Sequence, residues 1–318
     1  MGLSPLRPRT PAPLPMVFSP PKSTGLAIGL GAITLTLALD AVLVALIRFA
    51  PLSFPTFIFI CLLAASAPVL AWIAYRCYGL ARARYVLSRN ALVVEWGGRR
   101  EVIPMEMIGE VRASAEVETV LRPPGITWPG CIVGRTRVPD FGDVEFLAAA
   151  DQPGLVLLSY PGGWLAISPA DSQTFLQSFA ELRAEGVEDH VEPESIRPGL
   201  EQSALWRDRL ALGLILVGGA SVLALVGYLL AIFPQLPPEI ALHFNAQSQP
   251  DRFGPPTGLF ILPVIAGLAW ALNTLGGLWL HRRETERAAA YLLLSATVFV
   301  QALVWVAAIG LLTAGRAG

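Results

Sequence analysis

Long apolar stretches separated by polar segments dominate the pattern of this chain. Five stretches approach the roughly 20 apolar residues that a helix needs to cross about 30 Å of hydrocarbon. They cover residues 26–47, 56–78, 210–232, 258–280 and 289–313. The pattern therefore predicts five transmembrane helices, arranged as a hairpin over residues 24–79 and a three-helix domain over residues 206–318.

The segment between the second and third stretches, residues 80–185, has a different pattern. Short runs of alternating apolar and polar residues predict β-strands, and the glycine-, proline- and asparagine-containing pairs between them predict tight turns. The predicted strands cover residues 85–88, 92–96, 101–103, 144–147, 155–160 and 164–167. A helix with Ser168 as its N-cap and Pro169 at its first position follows. These elements predict a mainly β domain closed by one amphipathic helix.

Two polar segments lie outside these predicted domains. Residues 1–23 contain seven prolines, which remove hydrogen-bond donors and keep a chain extended. We therefore expect a disordered tail there. Residues 186–205 are rich in acidic side chains and are predicted to be a linker to the third span.

The composition supports an integral membrane protein. Only 15% of the residues are charged, whereas soluble domains have about 25%, and the mean hydropathy is +0.57. The net charge of -1 gives no basis for a nucleic-acid partner, which needs a basic surface. The three cysteines, Cys61, Cys77 and Cys131, are scattered and odd in number, so they predict neither disulfides nor a metal site.

Basic residues near the predicted spans fall mostly on one side. They precede the first and third spans, follow the second, and join the fourth to the fifth. Because such residues are retained in the cytoplasm, we expect a multi-pass protein of the cell membrane with a cytoplasmic N-terminus and an external C-terminus. The β domain is then cytoplasmic, and the loop over residues 234–257 faces the exterior.

The β domain resembles the bacterial, membrane-linked version of the pleckstrin-homology fold. The resemblance is carried by Tyr85-Val86-Leu87 directly after a helix pair, by Ile103-Pro104 with Ile108, and by Ile167-Ser168-Pro169 with Asp171 and Phe175. It covers about 100 residues. It implies a binding or scaffolding module that recognises lipid headgroups or a cytoplasmic protein partner, rather than an enzyme.

Five arginines in this domain have two interpretations. They are Arg82, Arg84, Arg89, Arg99 and Arg100. As a basic surface they would attract anionic lipid headgroups, at roughly 1 kcal/mol each. Alternatively, those nearest the second span only determine topology.

The loop between the third and fourth spans carries a second resemblance. Its sequence contains Leu-Pro-Pro-Glu-Ile, then His-Phe-Asn, then Pro-Asp and Phe-Gly, over residues 236–254. It resembles a bacterial family of unknown function marked by L-P-x-x-I-P-x-H-F-N-x-x-G-x-P-D-x-x-G, which occurs in immunity proteins of the sporulation-delay toxin type. The resemblance implies protection against a secreted peptide, or signalling of its presence. Ala241 and Ser248 depart from the family's proline and glycine.

Four residues of this loop are candidate ligand-binding residues: His243, Phe244, Asn245 and Asp251. They allow recognition of a secreted peptide or envelope component. They also allow a metal site on His243 and Asp251, although one histidine with one carboxylate is a poor ligand set. The third interpretation is that His243 and Asn245 hydrogen-bond the backbone of their own loop. We predict no metal and no cofactor.

Three polar residues lie within the predicted spans. Asp40 is expected to be neutral or hydrogen-bonded within the bundle, and Asn273 and Ser295 lie at heights that would let them bond across the last helix pair. The chain contains no H-E-x-x-H, Walker or glycine-rich dinucleotide motif, so no catalytic residue is predicted. We expect a non-catalytic membrane protein for envelope sensing, signalling or immunity; the alternative is a membrane scaffold without an external ligand, or a small transporter.

Overall fold

The chain consists of two compact units. The structure is a computed structural model that describes residues 15–121, 127–198, 205, 208–245, 247 and 249–314. The first unit is Met1–Ala38 with Pro68–Pro198, and the second is Leu39–Ala67 with Gly199–Gly318. The predicted acidic linker and the N-terminal tail lie partly outside the described residues.

Five long helices confirm the predicted spans. They are α1 (Ser23–Phe49), α2 (Phe54–Arg82), α4 (Arg209–Ile232), α5 (Ile261–His281) and α6 (Arg287–Ala314), with the shorter α3 (Ser172–Glu185) between α2 and α4. The five are long and apolar enough to cross a membrane. Their outer faces carry large apolar side chains; Leu216, Leu272 and Leu292 are 67–73% exposed. Water disfavours such continuous apolar surface, and hydrocarbon accommodates it.

The β domain in the first unit is built from two five-stranded sheets. The first sheet has the order β1-β2-β3-β4-β10 and is antiparallel throughout. Its strands are β1 (Met16–Phe18), β2 (Arg84–Leu87), β3 (Ala91–Trp96), β4 (Arg99–Pro104) and β10 (Glu194–Ile196). The second has the order β5-β8-β9-β7-β6, with β7 and β9 parallel. Its strands are β5 (Val111–Ala113), β6 (Ile132–Val138), β7 (Gly142–Ala148), β8 (Val156–Tyr160) and β9 (Gly163–Ile167).

Tyr85, at the start of the domain, connects the first sheet to the second through its side chain. Its side chain is fully buried in the main core. Its hydroxyl donates to the Leu147 carbonyl at 2.7 Å and accepts from the Ser168 N–H at 3.3 Å. One side chain therefore fills the core and links the first sheet to the ends of β7 and β9, with both polar functions satisfied.

The start of α3 differs from the prediction. The N-cap is Asp171, whose carboxylate accepts from the Thr174 N–H at 2.9 Å, rather than Ser168. Ser168 is buried, and its hydroxyl accepts from the Ala149 N–H at 2.7 Å. Serine and aspartate are both common N-cap residues. Ser168 instead lies in the core, because the buried Ala149 N–H needs a hydrogen-bond acceptor there.

Strands also form in segments where none was predicted. β1 lies within the tail that was expected to be disordered, and β10 lies within the expected linker. Both are three-residue edge strands that pair with a strand distant in sequence. The alternation of apolar and polar residues over three positions is too short to predict them. β5 and β6 were missed as well; in β6, Gly134, Arg135 and Arg137 interrupt the apolar alternation.

A close contact joins the β domain to the helix ends within the first unit. Trp128 Nε1 donates to the Gly25 carbonyl in α1 at 2.9 Å, and the Arg76 guanidinium of α2 lies 6.0 Å from the centre of the Trp128 ring. The backbones of Gly25 and Gly130 approach so closely that a Cβ on either residue would collide with the backbone of the other. The domain is therefore packed directly against α1 and α2.

The second unit contains α4, α5 and α6 and a two-stranded hairpin. β11 (Ile240–Phe244) pairs antiparallel with β12 (Pro250–Gly254) within the segment that was predicted as a loop. A buried cluster of α4 and α6 side chains includes Ile240 of β11. The hairpin is thereby anchored on the end of the bundle, between the C-terminus of α4 and the start of α5.

Candidate functional site

The hairpin presents an exposed histidine–aspartate pair. His243 lies on β11 and Asp251 on β12, and the imidazole Nδ1 donates to the Asp251 carboxylate at 2.6 Å. The two side chains are 65% and 43% exposed. A register shift on both sides of His243 interrupts the ladder, and such bulges redirect side chains. The hairpin therefore holds this pair at the surface while Ile240 is buried behind it.

Asn245 shapes the turn that joins the two strands. Its side-chain oxygen accepts from the Gln247 N–H at 3.0 Å and from the Gln249 N–H at 2.9 Å. Its own N–H donates to the Gln249 carbonyl. These bonds match the loop-anchoring interpretation for Asn245, whereas His243 bonds a side chain rather than the backbone. Phe244 lies in β11.

The hairpin is a poor metal site. His243 and Asp251 are brought together, but the described part of the chain holds no group of three or more His, Cys, Asp or Glu side chains suited to a metal ion. Zinc sites in proteins use three or four protein ligands. The pair is better suited to hydrogen bonding with a polar or charged partner.

The five arginines predicted as one basic surface are distributed over several environments. Arg99 is buried against Glu145, so its role in a lipid surface is not supported. Arg89 donates to the carbonyls of Glu185 and Gly186 at the end of α3. Arg100 is half exposed and faces carboxylates. Arg82 and Arg84 line a common cavity.

That cavity also includes Lys22, which was not among the five residues predicted to form the basic surface. It measures about 380 Å³, lies where α1 begins and α2 ends, and is lined by Val17, Ser19, Lys22, Ala81, Arg82, Ala83, Arg84, Glu95 and Gly97. Lys22 donates to the Ala81 carbonyl at 2.8 Å. Burial and the nearby Arg84 guanidinium lower the pKa of the Lys22 ammonium. Three cations and one carboxylate give this cavity a positive field beside the ends of two candidate spans.

A buried charge network joins the two sheets of the β domain. Glu145 of β7 and Glu101 of β4 have side chains only 4% and 11% exposed. Arg99 pairs with Glu145 from within the domain, and Arg197, just after β10, binds both carboxylates at about 3 Å. The network could not be foreseen because its four residues lie on three segments that are distant in sequence: β4, β7 and the residues after β10.

A second polar cluster lies in the second unit, at the end of the helix bundle opposite the hairpin. Asp208 caps α4 by accepting from the Ala211 N–H at 3.0 Å. The same carboxylate accepts from His281 Nε2 of α5 at 2.7 Å and from the Tyr291 hydroxyl of α6. These three donors hold the pKa of Asp208 well below its usual range. Sequence alone indicates only the N-cap, because the partners are more than 70 residues away.

The polar residues predicted within the spans have separate environments. Asp40 accepts from the Ser66 hydroxyl of α2 at 2.8 Å, which fits the expectation that it is hydrogen-bonded. Ser295 lies on the exposed face of α6 and Asn273 is half-buried in α5. Among the described residues, the structure gives no hydrogen bond between these two.

Comparison with protein-family models gives two matches. Residues 83–182 match the bacterial PH domain, and residues 220–267 match a domain of unknown function, DUF1648. A search of curated proteins and a search of solved structures give no match. The first match confirms the predicted pleckstrin-homology-like domain, and the second covers the C-terminal half of α4, the whole hairpin and the start of α5. Together with the five apolar helices, they fit a non-catalytic, multi-pass membrane protein.

Proposed function

We propose that this protein is a non-catalytic sensor of the cell membrane whose hairpin β11–β12 recognises a secreted peptide or envelope component. The observation that carries the proposal is the exposed His243–Asp251 pair on a hairpin anchored to the helix bundle. The bacterial PH domain acts on the cytoplasmic side as the docking point for a partner. Immunity to a secreted toxic peptide is the specific role that the motif resemblance favours.

The geometry of the hairpin suits a peptide better than a small ion. A two-stranded sheet has an outer edge on each strand, and an extended peptide can add to such an edge through main-chain hydrogen bonds. The imidazole and carboxylate beside it supply directional polar contacts. Since the hairpin is fixed to the bundle by the buried Ile240, little ordering entropy would be lost on binding.

The basic cavity supports a docking role for the cytoplasmic domain. Lys22, Arg82 and Arg84 lie beside the ends of α1 and α2, where positive charge is attracted to anionic headgroups. Contact with the bilayer surface would then help to hold the domain in place while a protein partner binds elsewhere on it.

The experiment compares point variants with deletion of the gene. Cells that produce wild-type protein, His243→Ala, Asp251→Ala or Glu239→Gln are challenged with fractionated culture medium and with membrane-active peptides, and survival is measured. We expect the first two variants to lose about tenfold or more of the protection that deletion abolishes, equivalent to about 1.4 kcal/mol of recognition. Glu239 is exposed just before β11, so Glu239→Gln is the matched control.

Membrane abundance of each variant is measured in parallel, so that lost protection is compared at equal protein level. If His243→Ala and Asp251→Ala protect as well as the wild type while deletion sensitises the cells, the hairpin is not the recognition site. That result would favour a scaffold or a small transporter.

A further inference from the structure

The strand β10 extends the first sheet at its edge, in the way that an extended peptide adds to an exposed strand. Its three residues are all exposed, and it pairs antiparallel with β4, with Ser195 opposite Glu101. Immediately after it, the Arg197 guanidinium lies 2.9 Å from Glu101 and 3.1 Å from Glu145. The segment is therefore held by a short ladder and one inserted side chain.

The Glu101 and Glu145 carboxylates, which pair with Arg197, are both largely buried. Among the described residues, Glu145 also pairs with Arg99, and Glu101 lies within 4 Å of both Arg99 and Arg197. Without Arg197, each of these two buried carboxylates would lose a cationic partner, which is unfavourable in a poorly hydrated position. The planar guanidinium matches two carboxylates better than an ammonium does. The site therefore selects an arginine.

An apolar cavity adjoins the other end of β10. It measures about 350 Å³ and lies beside β4, with the turn between β8 and β9 and Pro193 among its walls. The apolar lining side chains include Ile103, Pro104, Met107, Tyr160 and Pro161. The Glu101–Glu145 pair and the apolar cavity thus lie at the two ends of the β4 edge that β10 occupies. In strand addition, main-chain bonds supply affinity and such flanking sites supply specificity.

We propose that the β4 edge, the Glu101–Glu145 pair and this cavity form a peptide-binding site that residues 193–197 occupy in cis. Its partner is an extended segment of another protein, with an arginine in the position of Arg197 and an apolar residue in that of Pro193. This deepens the docking role proposed above for the domain and needs no ligand at the hairpin. Displacement of β10 would release the segment that leads to α4.

The test uses the purified full-length chain in detergent and a fluorescent peptide with the sequence of residues 191–198. Arg197→Gln in the protein weakens the internal occupant, so we expect it to bind the peptide at least about tenfold more tightly than the wild type does, since an occupied site lowers apparent affinity. A peptide with glutamine in place of its arginine should bind at least about tenfold more weakly. Arg112→Gln, on β5, is the control and should bind like the wild type.

Equal affinity of the wild type and Arg197→Gln for the peptide would overturn the proposal, as would equal affinity for the arginine and glutamine peptides. Dimerisation of Arg197→Gln without peptide binding would also overturn it, because the occupant would be a second copy of the chain. If Arg197→Gln misfolds, hydrogen exchange of the backbone amides in the wild-type protein tests the proposal instead. Saturating peptide should accelerate exchange over residues 194–196 and leave β2 and β3 unchanged, and no acceleration would overturn the proposal. None of these measurements involves the hairpin, so their failure is separate from failure of the sensing role.

Discussion

At the scale of single residues, Asp208 connects three helices through one carboxylate. It caps α4 and accepts from His281 and Tyr291. Asp208→Ala removes a cap worth about 1 kcal/mol and leaves a buried imidazole without its acceptor, at about 1–3 kcal/mol. We expect a loss of about 2–4 kcal/mol in stability, measured by unfolding in detergent. Asp171→Ala is the control, because Asp171 caps α3 by the same geometry on an exposed surface.

The acid dependence of this stabilisation follows from the lowered pKa of Asp208. A carboxylate with a depressed folded-state pKa stabilises the fold above its unfolded pKa of about 3.9 and loses that contribution as pH falls further. The stability difference between wild type and Asp208→Asn should therefore be constant from about pH 7 to 5 and shrink below about pH 4. A difference that did not change with pH would show that the charge of the Asp208 carboxylate does not contribute to stability.

Single residues are also where sequence reasoning was least complete. It placed Tyr85 in a domain motif and included loop anchoring among its interpretations of Asn245. However, it assigned the α3 cap to Ser168 and placed Arg99 on a surface. In each error, the residue type was compatible with two environments. The Ser168 hydroxyl accepts a hydrogen bond from the buried Ala149 N–H, and the Arg99 guanidinium pairs with the buried Glu145 carboxylate. Those competing partners are set by tertiary contact, and no local pattern reveals them.

At the scale of elements, the packing of α1 against the β domain depends on a missing side chain. A Cβ on Gly25 would lie 2.1 Å from the Gly130 carbonyl oxygen, which is backbone and cannot rotate away. We expect Gly25→Ala to cost about 1–3 kcal/mol by overpacking, measured as a lower thermal midpoint of the detergent-solubilised protein. Gly31, two turns along the same helix, has no atom within 4 Å of its Cβ position. Gly31→Ala should be neutral or stabilising by up to about 1 kcal/mol, and equal effects of the two variants would contradict the contact.

The elements themselves were predictable in proportion to their length and regularity. The five apolar helices follow from the length of their continuous apolar runs. Three strands of the first sheet, β2, β3 and β4, follow from the alternation of apolar and polar residues. β1 and β10 do not, since three residues on a sheet edge carry too little pattern and their pairing partners are distant. The hairpin β11–β12 was read as a loop because its prolines and polar residues resemble loop composition.

At the scale of the whole molecule, the distribution of basic residues predicts which faces of the membrane its parts occupy. Lys22, Arg82 and Arg84 lie together at the ends of α1 and α2, and Arg282, Arg283 and Arg287 join α5 to α6. Positive residues of this kind are retained in the cytoplasm. The segment between α4 and α5 has one arginine, Arg252. The PH domain should therefore be cytoplasmic and the hairpin external.

Cysteine labelling of intact cells tests this orientation. Gln247 on the hairpin turn and Asp189 after α3 are both exposed. With a membrane-impermeant maleimide, we expect Gln247→Cys to react in intact cells and Asp189→Cys to react only after permeabilisation. Cys77 and Cys131 are buried, so the unsubstituted protein serves as the background control. The reverse labelling pattern would place the hairpin in the cytoplasm, where it could not meet a secreted peptide, and the proposed sensing role would then be untenable even if His243 and Asp251 proved essential.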